Sequence, residues 1–396
     1  MGEREFIPFH RPSIDESEIE AVAATLRSGW LTTGPRTAHF EAEFRAYVQA
    51  PYALAVNSCT AGLHLALAAL GIGPGDEVIT SPMTFCSTVN CILHTGASPV
   101  LADVGPDGNI DPDGIRAAIT GRTRAILPVH FGGLPCDMAS IWAMARERGI
   151  RVVEDAAHAA GARYGGRPVG GSGSSDAVAF SFYATKNLTT GEGGMVTCHR
   201  PEVWERMRVL CLHGIGKDAW ARYTEKGNWY YEVVDCGFKY NLSDIQSAIG
   251  IEQLHKLDRF LTMREQIAER YTRSFRELPE LEVPGGRAGC RHAWHLYPLR
   301  LNLDRLAIDR SEFIEELRRR GIGASVHFIP IPLHPYFARN PGIARAKCPR
   351  ALEMYPRLVS LPLYPALTDE EIEYIIASVV AIVRENRRAL TVAAAN

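Results

Sequence analysis

The chain has no excess of positive charge: 43 Lys and Arg stand against 45 Asp and Glu, a net charge of −2. No broad basic face is available for a phosphate backbone, which argues against nucleic-acid binding. No CxxC pair exists among its nine cysteines, and their number is odd and their spacing scattered. A disulfide framework and a zinc ribbon are both excluded on that pattern, and a reducing cytoplasm is expected. The first 12 residues, MGEREFIPFHRP, contain no apolar core, so no signal peptide is expected. No apolar run is long enough to span a bilayer; Ile375–Val383 is too short, and the stretch after Thr60 is broken by His64. Internal repeats and low-complexity tracts are absent.

What remains is a chain of ordinary globular composition, 46% hydrophobic and 22% charged, whose 396 residues suggest two domains. Between residues 52 and 197, short apolar runs alternate with helical periods. The runs are YALAV (52–56), EVITSP (77–82), PVLADV (99–104), RAILPVHF (124–131), RVVED (151–155), AVAFSF (177–182) and GMVTC (194–198). Their lack of polar alternation suits strands buried on both faces. Helices are expected at Thr60–Leu70 and Asp137–Arg148, each followed by a glycine stop. The pattern predicts a mostly parallel sheet with helices on both faces.

After residue 243 the pattern changes. A long helix is expected over Ser243–Leu278, then a strand over His295–Leu301, a helix over Arg310–Arg320, a strand at GASVHF (323–328), a Pro-rich loop (329–335) and a terminal helix from Asp369. This reads as a smaller α+β domain, with 1–250 as the large domain and 251–396 as the small one. The run EELRRR (315–320) reads as the solvated face of an amphipathic helix rather than a phosphate clamp.

Ligands of open α/β sheets bind at the carboxyl ends of the strands, and three segments place unusual residues there. In NSCTAG (57–62), the Thr60 hydroxyl and the N–H groups of Ala61 and Gly62 open a helix, which suits a phosphate. Taken alone, the same pattern is an ordinary N-cap. In VVEDAAHA (152–159), Asp155 ends an apolar strand, where a carboxylate is costly without a cationic partner such as a protonated ring nitrogen. His158 follows three residues later. Their plain readings are a helix cap and a buried histidine. In residues 178–196 only Lys186 and Glu192 are charged, and Lys186 sits among hydroxyls and glycines directly after a strand. Such a lysine is suited to a lowered pKa and Schiff-base chemistry, although a surface loop lysine fits the same residues. A phosphate cradle, a carboxylate and a lysine, each just past a strand, together form the set that pyridoxal 5′-phosphate (PLP) needs.

The sequence resembles the DegT-type nucleotide-sugar aminotransferases, a fold-type I PLP family, over nearly its whole length. The motifs that carry the resemblance are SGWLTTGP (28–35), NSCTAGLHLAL (57–67), GDEVITSPMTF (75–85), EDAAHAAGA (154–162), SFYATKNLTTGEGG (181–194), KYNLSDIQSAIG (239–250) and VHFIPIPLHPYF (326–337). The resemblance implies a mostly parallel seven-stranded sheet with helices on both faces and a smaller C-terminal α+β domain. It implies that Lys186 is the Schiff-base lysine, Asp155 pairs with the pyridine nitrogen, and His158 lies near the ring hydroxyl. Phe85 would stack on the ring, and Thr60, Ala61 and Ser181 would hold the phosphate. Asn241 would reach the phosphate of a neighbouring subunit's PLP, making a homodimer with shared sites. His327 would line the sugar pocket, and Trp30, Thr33 and Gly34 would lie near the nucleotide sugar. SGWLTTGP also reads simply as a Gly/Thr turn.

HGIGKDAW (213–220) and RHAWHLYPLRL (291–301) look most like the branch that aminates C4 of nucleotide-linked 4-keto sugars. The implied reaction moves the amino group of L-glutamate through PLP and pyridoxamine 5′-phosphate to a UDP- or dTDP-linked keto sugar. Action at C3 is the alternative. A PLP sugar dehydratase would carry histidine at the position of Lys186, and a non-catalytic regulatory relative need not keep Lys186 and Asp155. His292 and His295, three apart on an expected strand, would point to opposite faces, which does not suit one metal ion.

Overall fold

All seven apolar runs are strands of one sheet. The computed structural model describes residues 5–216, 230–344 and 346–388; residues 217–220 of HGIGKDAW lie outside the described residues. The strands are β1 (Tyr52–Val56), β2 (Glu77–Thr80), β3 (Ser98–Leu101), β4 (Thr123–Leu127), β5 (Arg151–Asp155), β8 (Ala177–Ser181) and β9 (Gly194–Cys198), with β6 (Arg163–Tyr164) and β7 (Arg167–Pro168) forming a short hairpin outside the sheet. The order across the sheet is β1-β9-β8-β5-β4-β2-β3. The pairs from β3 to β8 are parallel, whereas β9 runs antiparallel to both β8 and β1.

The reversal at β9 has a local cause. Parallel neighbours need a crossover long enough to return along the sheet, usually through a helix. Residues 182–193 instead fold back on themselves: the Phe182 N–H donates to Gly193 O at 2.9 Å, and the Thr190 N–H to Phe182 O at 2.9 Å. This closed loop holds Lys186. Gly194, which starts β9, passes so close to the next segment that a Cβ would lie 2.7 Å from Cys59 N and from Phe180 O.

The helices of the first half are α1 (Glu16–Ser28), α2 (Pro35–Val48), α3 (Cys59–Ala69), α4 (Cys86–His94), α5 (Pro112–Ala118), α6 (Met138–Arg148), α7 (Pro201–Cys211) and the long α8 (Asp244–Phe275). They cover both faces of the sheet. Strand β8 shows it residue by residue: Ala177 and Ala179 pack with Leu63 of α3 and Met207 of α7, while Val178 and Phe180 pack with Phe44 of α2 and Leu254 of α8. Period-two alternation without polarity is therefore the mark of two buried faces. Capping residues fix the ends. Ser58 accepts from the Ala61 N–H at the start of α3, and Ser243 with Gln246 forms a capping box at the start of α8.

Helix α8 joins two cores. Ile251, Leu254, Leu257 and Leu261 pack against the large sheet, and Ile267, Tyr271 and Phe275 belong to a second core. That second core gathers around a sheet of β10 (Leu281–Glu282), β12 (Tyr297–Leu301) and β13 (Leu358–Leu361), in the order β10-β12-β13, while β11 (Cys290–Arg291) pairs with β6. Helices Arg310–Arg319 and Asp369–Glu385 complete it, and Ile7 from the N-terminal segment is buried within it.

Two expectations are corrected here. GASVHF is not a strand. Gly321 and Gly323 bond to Ile7, Ser325 alone bridges to Ser360, and the chain then enters the Pro330–Pro332 loop, where proline removes ladder donors. The segment before β12 is also not extended strand: His292 to Leu296 lie in a loop, and Trp294 has φ 48°. The opposite-face argument for His292 and His295 therefore falls. His292 stacks on Trp294 with ring centroids 4.0 Å apart, whereas His295 faces His158 at 4.4 Å.

Candidate active site

The carboxyl ends of β1, β5 and β8 converge on one cavity of about 540 Å³. Its walls include Thr60, Phe85, Asp155, His158, Ser181, Lys186 and His327. Seven residues expected from five separate motifs are thus brought together, six of them at or just after the carboxyl ends of strands of the large sheet and His327 from the loop of the smaller domain.

Asp155 is the last residue of β5 and is 4% exposed. Its Oδ2 accepts the Thr88 hydroxyl at 2.8 Å, and its Oδ1 accepts the Ala157 N–H at 3.1 Å. Burial pushes its carboxyl above the ordinary range, and these two donors and the field of Lys186 oppose that push. A buried carboxylate in this balance is stabilised by any cationic donor that enters the cavity.

Lys186 is pushed down to about 8 by burial, partly offset by the negative charge of Asp155. An amine so shifted is substantially neutral near pH 8, which makes it a usable nucleophile and base. His158 is buried and its Nδ1 has no partner. Its ring lies against Phe328, with centroids 5.6 Å apart and planes 12° off parallel. Burial and the Lys186 charge hold it well below the usual histidine range, so it is a neutral hydrogen-bonding group.

The phosphate-type residues divide. Thr60 and Ser181 line the cavity. The Ala61 N–H, by contrast, already donates to Ser58 Oγ at 3.1 Å, inside the cap of α3. Phe85 is 61% exposed at the cavity wall and lies 6.4 Å from the Phe328 ring.

Trp30, Thr33, Gly34 and Asn241 form a separate cluster. Asn241 Nδ2 donates to Thr33 Oγ1 at 2.7 Å, the Thr33 hydroxyl bonds Leu242 O, and Trp30 Nε1 donates to Thr33 O at 3.1 Å. The Gly34 N–H donates to Asp244 Oδ1 at 2.7 Å. None of the four is among the residues lining this chain's cavity.

Several participants escaped sequence reasoning. Thr88 holds Asp155, Asp244 anchors the 28–35 loop, and His10, Tyr183, His295 and Phe328 line the cavity. His10 stands in the N-terminal stretch PFHRP (8–12), where nothing in the spacing distinguishes a cavity residue from a loop residue.

With the site in place, comparison with known proteins decides the family. Residues 12–380 match the DegT/DnrJ/EryC1/StrS aminotransferase family. The chain belongs to that family. It is 51% identical over 381 residues to the spore coat polysaccharide biosynthesis protein SpsC of Bacillus subtilis, covering 96% of this chain and 97% of SpsC. Among solved structures, the putative sugar aminotransferase Spr1654 of Streptococcus pneumoniae, in its PMP-form, superposes with a TM-score of 0.89 at 35% identity, covering 96% of this chain and 99% of that one. PseC of Helicobacter pylori, an aminotransferase involved in pseudoaminic acid biosynthesis, gives a TM-score of 0.89 at 30% identity over 96% of this chain and 100% of its own. Such agreement along both chains gives the described residues the family's fold-type I architecture. Among the described residues, no helix is long and apolar enough to cross a membrane.

Proposed function

We propose that this aminotransferase uses PLP to move the amino group of L-glutamate onto C4 of a UDP- or dTDP-linked 4-keto sugar in the cytoplasm, working as a homodimer. The observation that carries the reading is the meeting of a buried lysine held near 8, a buried carboxylate and an unpartnered histidine nitrogen in one cavity.

The residues fit PLP on their own chemistry. Asp155 is positioned to take a protonated ring nitrogen, His158 Nδ1 to bond a ring hydroxyl, and Thr60 and Ser181 to bond a phosphate beside the N-terminus of α3. Bound there, PLP would supply an electron-withdrawing ring able to accept the donor's amino group and pass it to the acceptor. Lys186 would tether the cofactor aldehyde in the resting enzyme and, once freed, would take the proton from the donor Cα and deliver it to the cofactor C4′ from the same side. Asp155 keeps its negative charge toward the ring throughout. The 182–193 loop fixes Lys186 from both ends, so the amine swings on its side chain alone.

Two features support the shared site. The Trp30–Thr33–Gly34–Asn241 cluster is built as a unit without lining its own cavity. Phe85 and Tyr183, both in the cavity wall, are 61% and 47% exposed in the single chain, a pattern that suits cover by a second subunit. SpsC and PseC belong by name to polysaccharide and pseudoaminic acid biosynthesis, which supports a sugar as acceptor.

The test is direct. Purified protein supplied with PLP should be yellow and should bleach with L-glutamate. UDP- and dTDP-linked 4-keto sugars should then be aminated, with the new nitrogen located at C4 by NMR. A protein that retains its colour with L-glutamate, or that aminates C3, would refute the corresponding part of the reading.

A further inference from the structure

Two histidines that the cofactor does not require are anchored to the residues on either side of Lys186. His295 Nδ1 lies 3.2 Å from the side-chain oxygen of Asn187. His10 Nε2 is buried with no partner, and the Ala184 backbone favours the protonated ring, as an accepting carbonyl does. Both rings line the cavity.

These anchors fix which ring nitrogen carries the proton. Asn187 Nδ2 donates to Ala293 O at 2.7 Å. A carbonyl only accepts, so the amide NH₂ must face Ala293 and Oδ1 must face the ring. His295 therefore carries its proton on Nδ1 and offers a lone pair at Nε2. For His10, the Ala184 backbone favours a ring proton directed at it, which leaves the unpartnered Nε2 as the acceptor. Burial, followed by the positive field of Arg264, holds His10 at about 4. Burial and the Lys186 charge hold His295 well below the usual histidine range. Both rings stay neutral at working pH, so neither acceptor turns into a donor.

His10 Nε2, a buried acceptor without a partner, is unfavourable until a ligand supplies a hydrogen, and His295 offers its lone pair in the same cavity. The carboxylates of an amino-acid donor bring only lone pairs to such positions. A sugar brings hydroxyl hydrogens. We propose that Nε2 of His10 and Nε2 of His295 accept hydroxyl hydrogens of the sugar, so that the two flanks of the Lys186 segment recognise the acceptor substrate. The proposal rests on the sugar-aminotransferase reading above and assigns the substrate class to two named side chains.

The two half-reactions of the PLP-loaded enzyme separate the possibilities when each is followed by cofactor absorbance. The probes are L-glutamate for the first, and a UDP-linked and a dTDP-linked 4-keto-6-deoxyhexose for the second. His10→Phe and His295→Phe keep a flat ring but lose the acceptor; His10→Gln and His295→Gln retain an amide oxygen that can accept. Each Phe variant should raise the KM for the keto sugar by at least about fivefold, as expected for one lost hydrogen bond to a buried group. The L-glutamate half-reaction and the cofactor content should stay within about twofold of wild type, and each Gln variant should regain most of the loss. Equal losses in both half-reactions, losses confined to L-glutamate, or Gln variants no better than Phe would overturn the assignment. Wild-type enzyme that converts L-glutamate but neither sugar would overturn the sugar reading first, and this proposal with it.

Discussion

The Thr88 hydroxyl donates to Asp155 Oδ2 at 2.8 Å, and it does so from α4, a different element from the strand that carries the carboxylate. Helix α4 follows Phe85, so one short segment both walls the cavity and sets the charge of its carboxylate.

The first prediction follows from that bond. Burial already raises the Asp155 pKa, and the Thr88 donor is the first of the effects opposing it. Thr88→Val keeps the shape and removes the donor. The pKa then rises further, and the protonated fraction at a given pH grows. The acid limb of kcat should move to higher pH, with a loss of about tenfold near that limb. Asp155→Asn, which removes the charge entirely, should cost at least about 10²-fold in kcat. An acid limb that stays in place in Thr88→Val would detach Thr88 from the chemistry.

The second prediction concerns Lys186. Lys186→Ala should abolish transamination while the protein still folds and binds PLP through Asp155, Thr60 and Ser181. Capture of PLP by cofactor-free wild type should accelerate with pH and level off above about 8, where the amine is neutral. Stability carries the same signature. The folded pKa lies below the ordinary lysine value of 10.5, so between the two the unfolded chain binds more protons. Stability therefore rises with pH across that window. Lys186→Met should lack this component, and the difference between the two unfolding free energies against pH measures it. A flat difference would show that Lys186 is not desolvated.

Asp244 gives a third, structural prediction. Its carboxylate is buried at the start of α8 and accepts from the N–H groups of Gly34, Arg36 and Thr37 and from the Thr37 hydroxyl. It thus caps the N-terminus of α2, whose own N-cap, Gly34, has no side chain to do so. Asp244→Ala should destabilise the protein by about 3 kcal/mol, since several buried donors lose a charged acceptor at once. It should also loosen the Trp30–Gly34 segment, raising protease cleavage there. Denaturant unfolding and limited proteolysis check the two effects separately.

These residues mark the limit of what the sequence makes legible. The seven strands of the sheet are readable because burial on both faces leaves an uninterrupted apolar run, which is a local signal. Lys186 and Asp155 are readable because a charge at the end of such a run is anomalous. Thr88, Asp244 and His295 carry no such anomaly. Thr88 reaches a carboxylate 67 residues away and Asp244 holds a hydroxyl 207 residues away. The sequence HLYPLRL predicts a strand from His295, because it alternates well enough to hide the turn at Trp294 that precedes a cavity-lining residue. GASVHF failed for the opposite reason: its apolar pattern is genuine, but its backbone bonds are divided between Ile7 and Ser360.

The last prediction tests whether the site is shared. Asn241 bonds Thr33 within its own chain and does not line its own cavity. One amide hydrogen serves Thr33, and the second is available to an anion from another subunit. If that anion is the partner's cofactor phosphate, PLP retention and dimerisation are thermodynamically linked, because a ligand that binds only the dimer stabilises it by mass action. Asn241→Ala should weaken PLP binding, and dilution of wild-type protein toward monomer should release PLP. Mixing two variants, at a PLP concentration that leaves the Asn241→Ala homodimer largely without cofactor, separates this from a purely local role at the start of α8. In a heterodimer of an Asn241→Ala chain and a Lys186→Ala chain, the chain with intact Lys186 borrows Asn241 from its partner, so one complete site is formed. The other site lacks both residues. Activity should reappear on mixing, up to about half the wild-type value per dimer if the two sites act independently. Heterodimers that form but remain inactive would show that Asn241 serves only its own chain, and would leave the Trp30–Thr33–Gly34–Asn241 cluster as a structural joint between α2 and α8.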